Sequence, residues 1–111
     1  MKAHIEIDAG ICGMQTAVDA DSEDNQHVDL KIETNCDKIQ ALSDALTELD
    51  PIDAFNEIGQ GADGVVLSTA REHLRGCCAA CPALVGVFKG VQVSAGLNLP
   101  KDISIKIEKV E

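Results

Sequence analysis

The sequence predicts an α+β domain: a four-stranded, mostly antiparallel sheet with helices packed on one face. An N-terminal three-strand meander and a C-terminal strand would build that sheet. Three observations predict it. Residues 2–34 hold three consecutive runs in which apolar and polar side chains alternate, joined by short glycine or polar turns. Alternation of period two marks half-buried strands, and short links mark an antiparallel meander. Residues 36–95 carry apolar side chains at helical spacing instead, before a last alternating run. Each alternating run has one apolar and one charged face, which asks for helices on one side and water or a partner on the other.

In residues 2–9, Ala3, Ile5, Ile7 and Ala9 face one way and Lys2, His4, Glu6 and Asp8 the other. Gly10-Ile11-Cys12-Gly13 turns the chain. The second strand, 14–21, points Met14, Thr16, Val18 and Ala20 inward, and Asp21-Ser22-Glu23-Asp24-Asn25 is a polar turn. The third, 27–34, points Val28, Leu30 and Ile32 inward. Asn35-Cys36-Asp37 opens a helix whose stripe is Ile39, Leu42, Leu46 and Leu49. Asn35 or Asp37 can cap it, and Asp37 with Gln40 resembles a capping box. Asp50-Pro51 stops it. Residues 52–58 suit a short helical turn, 59–64 a glycine-rich loop, and 65–75 a second helix with Val66, Ala70 and Leu74 on one face.

Residues 83–95 fit two patterns. Leu84, Val87, Phe88, Val91 and Ala95 make a helical stripe, while Val85, Val87, Val91 and Val93 alternate and valine favours strands. Helix is the reading adopted. Cys81-Pro82 matches a cap followed by a first-turn proline, and Gly96 is a natural stop. Gly86 and Gly90, four apart, would let this helix approach a neighbour closely. Residues 102–110 alternate cleanly, with Ile103, Ile105 and Ile107 against Ser104, Lys106 and Glu108, and are expected as the fourth strand.

The 111 residues suit a single domain, 1–111, with one core. With no Trp or Tyr, and with Phe55 and Phe88 its two aromatics, that core must be aliphatic. Nineteen acidic against nine basic residues give a formal net charge of −10. Such a chain repels phosphate backbones and anionic lipid, which excludes nucleic acid and membrane as partners. The N-terminus lacks a long apolar run and no stretch approaches a membrane span, so a cytoplasmic location is expected, where thiols stay reduced.

The five cysteines carry the strongest chemical signal. Cys77, Cys78 and Cys81 fall within five residues, and an odd total suits a disulfide framework poorly. Cys78-x-x-Cys81 has metal-ligand spacing, and Cys-Pro closes the ferredoxin run; the full ferredoxin run and a second CxxC are both absent. His73, four residues before Cys77, is a further candidate ligand. In a meander the first and third strands end at the same edge, so Cys12 and Cys36 are expected roughly 10 Å apart there. Cys36 and Cys81 each open a helix. The unpaired N–H groups and partial positive charge of a helix start stabilise thiolate, and can pull a cysteine pKa from about 8.5 to about 7 or below. Gly10 and Gly13 leave room around Cys12. Against this stands the reading of Cys12 and Cys36 as small core residues.

Other motifs weigh less. Gly59-x-Gly61-x-x-Gly64 matches the dinucleotide pattern in letters, but no βαβ unit surrounds it. Asp21, Glu23, Asp24 and Asn25 lack the glycine and closing Glu of a calcium loop and read as a solvated turn. His4 and His27 lie on strands and are expected to be exposed. Glu72 and His73, being adjacent on a helix, point apart.

Gly10-Ile11-Cys12-Gly13, Cys36-Asp37, Cys81-Pro82 and the run from Ala95 through Pro100 to Asp102 together resemble a family of small uncharacterised proteins of this length, found mainly in anaerobic microbes. The resemblance covers nearly the whole chain. It implies that Cys12, Cys36 and Cys81 are the core trio and that Cys77 and Cys78 are additions. A local resemblance links Cys81-Pro82-Ala83-Leu84 to the sulfur-carrier proteins, whose Cys-Pro-x-Pro opens a helix and carries a persulfide; the second proline is missing here.

The expected function is therefore a cysteine site binding a metal, an iron–sulfur cluster or zinc, through Cys12, Cys36, Cys77, Cys78 and Cys81. The alternative is metal-free thiol or persulfide chemistry at Cys81, with Cys78 or Cys36 resolving it. A third reading is an interaction domain that dimerises, although the charged outer sheet face opposes a dry interface there. A homodimer or a redox protein partner fits these readings. No substrate or reaction is indicated.

Overall fold

The computed structural model describes residues 1–76 and 80–111. The meander forms where the alternation places it: β1 (Lys2–Asp8), β2 (Gln15–Asp21) and β3 (His27–Thr34). The strands pair antiparallel in chain order, with Ile5 opposite Val18 and Val18 opposite Ile32. Ile7, Val18, Ala20, Val28, Leu30 and Ile32 are buried, while Lys2, His4, Glu6, Asp19 and Lys31 between them stay exposed. A shift of one residue would exchange the two faces, so burial of one face holds the register.

Both hairpin turns use left-handed backbone. Gly10 and Gly13 have φ of 90° and 73° in the β1–β2 turn, and the Gly13 N–H donates to the Gly10 carbonyl at 2.9 Å. In the β2–β3 turn Asn25 has φ of 61°. Beside it Asp24 Oδ1 accepts from the backbone N–H groups of Gln26 and His27 at 3.0 and 2.7 Å, so its carboxylate organises the turn.

Helix α1 (Asp37–Glu48) buries Ile39, Leu42, Ser43 and Leu46 against β3 and the later helix α3 (Val65–Leu74). Leu49, expected in the same stripe, is its C-cap and is about half exposed. After the cis Asp50–Pro51 peptide the chain does something the pattern did not signal: Ile52–Asp53 pairs antiparallel with Val28 and His27 as β4. The sheet thus has four strands in the order β1-β2-β3-β4. Residues 54–60 form α2 (Ala54–Gln60), and a 3-10 turn at Gly61–Asp63 leads into α3. The expected loop at 59–64 is largely helical.

Residues 83–94 are helical, as the stripe indicates, with Pro82 rather than Cys81 at the N-cap: α4 (Ala83–Ser94) buries Val87, Phe88, Val91 and Ser94 and lies on β1 and β2. The two glycines explain how closely. A Cβ at Gly86 would stand 2.7 Å from Ile7 Cγ1, and one at Gly90 would stand 2.5 Å from Ile5 Cδ1.

The expected C-terminal strand is corrected. Residues 102–110 take no strand pairing, and Ile103, Ile105 and Ile107 are 57%, 77% and 89% exposed. Alternation gives a segment two faces but does not supply a neighbour; the outer edge of β3 goes to Ile52–Asp53, and the tail does not pair with β1. The core is aliphatic, with Phe88 its aromatic member and Phe55 about half exposed. Among the described residues no helix is long and apolar enough to cross a membrane.

Candidate functional site

Sheet register fixes where the cysteine-bearing segments go. Ile7, Thr16 and Thr34 lie in one row across β1, β2 and β3. Beyond that row come the β1–β2 turn, which carries Cys12, and the chain leaving β3, which carries Cys36. Hydrogen bonds tie the two together. Thr16 Oγ1 and Thr34 Oγ1 are 2.9 Å apart, the Cys36 N–H donates to Thr34 Oγ1 at 3.1 Å, and the Gln15 N–H donates to Asn35 Oδ1 at 2.9 Å. The contact of Gly86 with Ile7 sets the first turn of α4 over the same row, with Cys81 just before it. Three segments distant in sequence thus lie at one end of the sheet.

The three residues differ in setting. Cys12 is exposed between its two glycines, and Cys36 is half-buried against the core. Cys81 is buried and packs in the core. Cys36 occupies the N-cap position of α1 without a side-chain cap bond, and its carbonyl accepts the first helical bond from Gln40 N–H at 2.9 Å. Asn35 does not cap, because its carboxamide oxygen holds β2 instead. Pro82 already has helical dihedrals, φ −68° and ψ −11°, and its carbonyl accepts from the Gly86 N–H. Cys81 therefore precedes the first turn of α4, where backbone N–H groups concentrate positive potential.

Among the described residues no three His, Cys, Asp or Glu side chains are gathered closely enough to hold a metal ion. Cys77 and Cys78, and with them the Cys78-x-x-Cys81 spacing, lie outside the described residues. His73 Nδ1 lies 2.9 Å from the Thr69 carbonyl one turn back; that oxygen can only accept, so the neutral ring carries its lone pair on Nε2.

The remaining charged candidates are structural. His4 Nδ1 lies 2.7 Å from Asp19 Oδ1 across the β1–β2 pair, and this bond raises its pKa. His27 Nδ1 lies 2.7 Å from Asp24 Oδ2. The bond raises the His27 pKa, while the His27 and Gln26 backbone N–H groups and the His27 ring hold Asp24 well below the usual carboxylate range. Asp24 is thus committed to its turn rather than to a cation.

One buried acid was not legible in the sequence. Glu57 on α2 is 1% exposed, and its carboxylate accepts from the backbone N–H groups of Val66 at 2.5 Å and Val65 at 3.0 Å. It caps α3 from eight residues upstream. Gly64, at the α3 N-cap, makes room for it: a Cβ there would stand 3.0 Å from Glu57 Oε2. The available signal was indirect, a helix starting at Gly64-Val65 with no Ser, Thr, Asp or Asn at its cap.

The fold is that of a small α+β protein in which the segments bearing Cys12, Cys36 and Cys81 lie at one end of a half-covered sheet. The chain belongs to a family of unknown function, DUF6951, whose model matches residues 3–107. No curated protein and no solved structure matches the chain significantly.

Proposed function

We propose that this is a thiolate metal-binding protein, taking an iron–sulfur cluster or zinc at the end of the sheet where the β1–β2 turn, the start of α1 and the start of α4 meet. What supports the reading is that the segments bearing Cys12, Cys36 and Cys81 all leave the same end of the sheet, beside the Thr16–Thr34 row and the seat of Gly86 on Ile7. Soft thiolates favour iron–sulfur clusters and zinc over hard cations. Cys77 and Cys78, close in sequence to Cys81, would complete the donor set. A bound cluster would supply electron-transfer chemistry, and zinc a structural clamp or a route for metal handling. The chain's own contribution is to deliver the sulfurs beside helix starts and a glycine turn, whose N–H groups offset thiolate charge.

The test is metal and sulfide analysis of protein purified without oxygen. About one equivalent of metal or cluster per chain is expected, and its loss in Cys36→Ala, since thiolate sites fail when a ligand is removed. Metal-free protein from such a preparation, with Cys36→Ala indistinguishable from it, would rule the reading out.

A second reading is favoured by the place of Cys81 ahead of α4 and by the absence of a gathered three-donor group among the described residues. Here Cys81 acts as a nucleophile or persulfide carrier without metal. Its alkylation rate would then rise with a midpoint well below the ordinary thiol value of about 8.5. Midpoints near 8.5 or above for every cysteine would remove it.

A further inference from the structure

Among the described residues the sheet ends at β1, which pairs with β2 on one side and has no strand on the other. Alongside it lies an open cleft of about 760 Å³. It is lined by Met1 to Asp8, by Gly86, Lys89 and Val93 of α4, and by Ile103 and Ile105 of the tail. The tail takes no strand pairing with β1. Gly86 sits over Ile7, whereas Gly96 sits by Met1, so α4 runs against β1 and the tail departs from the beginning of that strand.

The tail has the composition of a strand and the exposure of a linker. Ile103, Ile105 and Ile107 repeat at period two, and all are more than half exposed. It is also electrically distinct. Residues 101–111 hold three lysines (Lys101, Lys106, Lys109) and three acids (Asp102, Glu108, Glu111), a net charge of zero, so the whole −10 resides in residues 1–100. The tail is a stretch that a second acidic copy does not repel.

We propose that the chain forms a two-fold dimer by reciprocal tail exchange. Residues 102–109 of each copy enter the partner's cleft as a strand between β1 and the partner's own tail. The inserted strand pairs on both edges, and its isoleucines turn in beneath α4. Docking of a tail onto its own β1 would leave the tail's outer edge open, a template for further association; exchange leaves both β1 edges and both tails paired. The sheet edge serves here rather than the charged sheet face, so no desolvation of Lys31, Asp19 or Glu33 is required.

The experiment uses the full chain at micromolar concentration, by sedimentation or light scattering, with hydrogen exchange on the same samples. Twice the 11.7 kDa chain mass is expected, with residues 102–109 protected. Ile103→Asp with Ile105→Asp should raise the dissociation constant by about 100-fold or more, because a carboxylate would be buried in the cleft. Both sites are exposed in the single chain, so cooperative unfolding should persist in the variant. Ile105→Val should leave the dimer intact. A monomer with an unprotected tail overturns the proposal. So does a monomer with a protected tail, which would mean docking on its own β1, and so does a dimer indifferent to the two aspartates.

Discussion

Glu57 shows how a side chain can be indispensable without being reactive. It gives up its hydration to receive two N–H groups at the start of α3, where a negative charge also meets the helix dipole favourably. Glu57→Ala should strand both donors and cost about 2 kcal/mol or more in urea unfolding, with Glu57→Gln intermediate, since one oxygen acceptor survives. The Asp24–His27 pair makes a second prediction at this scale. Asp24 is depressed from 3.8, so its contribution is present above that value and fades as pH falls through the folded one. His27 is raised from 6.5, so its contribution is complete below that value and fades as pH rises through the folded one. The pair is strongest in the window between 3.8 and 6.5. Titration of the His27 ring by NMR should give a midpoint above 6.5 that returns toward it in Asp24→Asn. The places of Cys12 in a turn, Cys36 at a helix start and Cys81 just before one were legible because strand ends and helix starts are encoded locally. The Glu57 cap was not, because donor and acceptor are brought together only by the fold of α2 back onto α3.

Among the elements, α4 owes its place to what Gly86 and Gly90 lack. Gly86→Ala gains about 1 kcal/mol of helix propensity but forces Ile7 aside in a packed layer, which costs about 1–3 kcal/mol. Net destabilisation is expected. Gly59→Ala on α2 meets no atom within 4 Å and should instead stabilise by up to about 1 kcal/mol. Denaturation midpoints of the two variants, moving in opposite directions, check this. The close packing of α4 was readable from the spacing of those glycines, as was its helicity from the stripe and the stop at Gly96. The fate of residues 102–110 was not. Their alternation is as clean as that of β3, yet pairing depends on which edge lies within reach, and that is a property of the assembled sheet. The same reason hid β4: two residues, Ile52 and Asp53, are too few to show a period, and their strand character comes from Val28 and His27 opposite them.

At the level of the whole molecule, the division of labour is simple. One sheet face is charged and exposed, helices cover the other, and the segments bearing Cys12, Cys36 and Cys81 lie at one end of the sheet. The α+β class and the covered face followed from alternation and helical stripes in residues 2–95. Whether the thiols act together depends on the short stretch between α3 and α4, where two further cysteines lie. The aliphatic core gives any experimenter an advantage here. With no indole or phenol in the chain, the near-ultraviolet background of the apoprotein is almost flat. A sulfur-to-iron charge-transfer band, or the faint absorption of a persulfide, would therefore stand alone in the spectrum, and a colourless preparation would be informative at a glance.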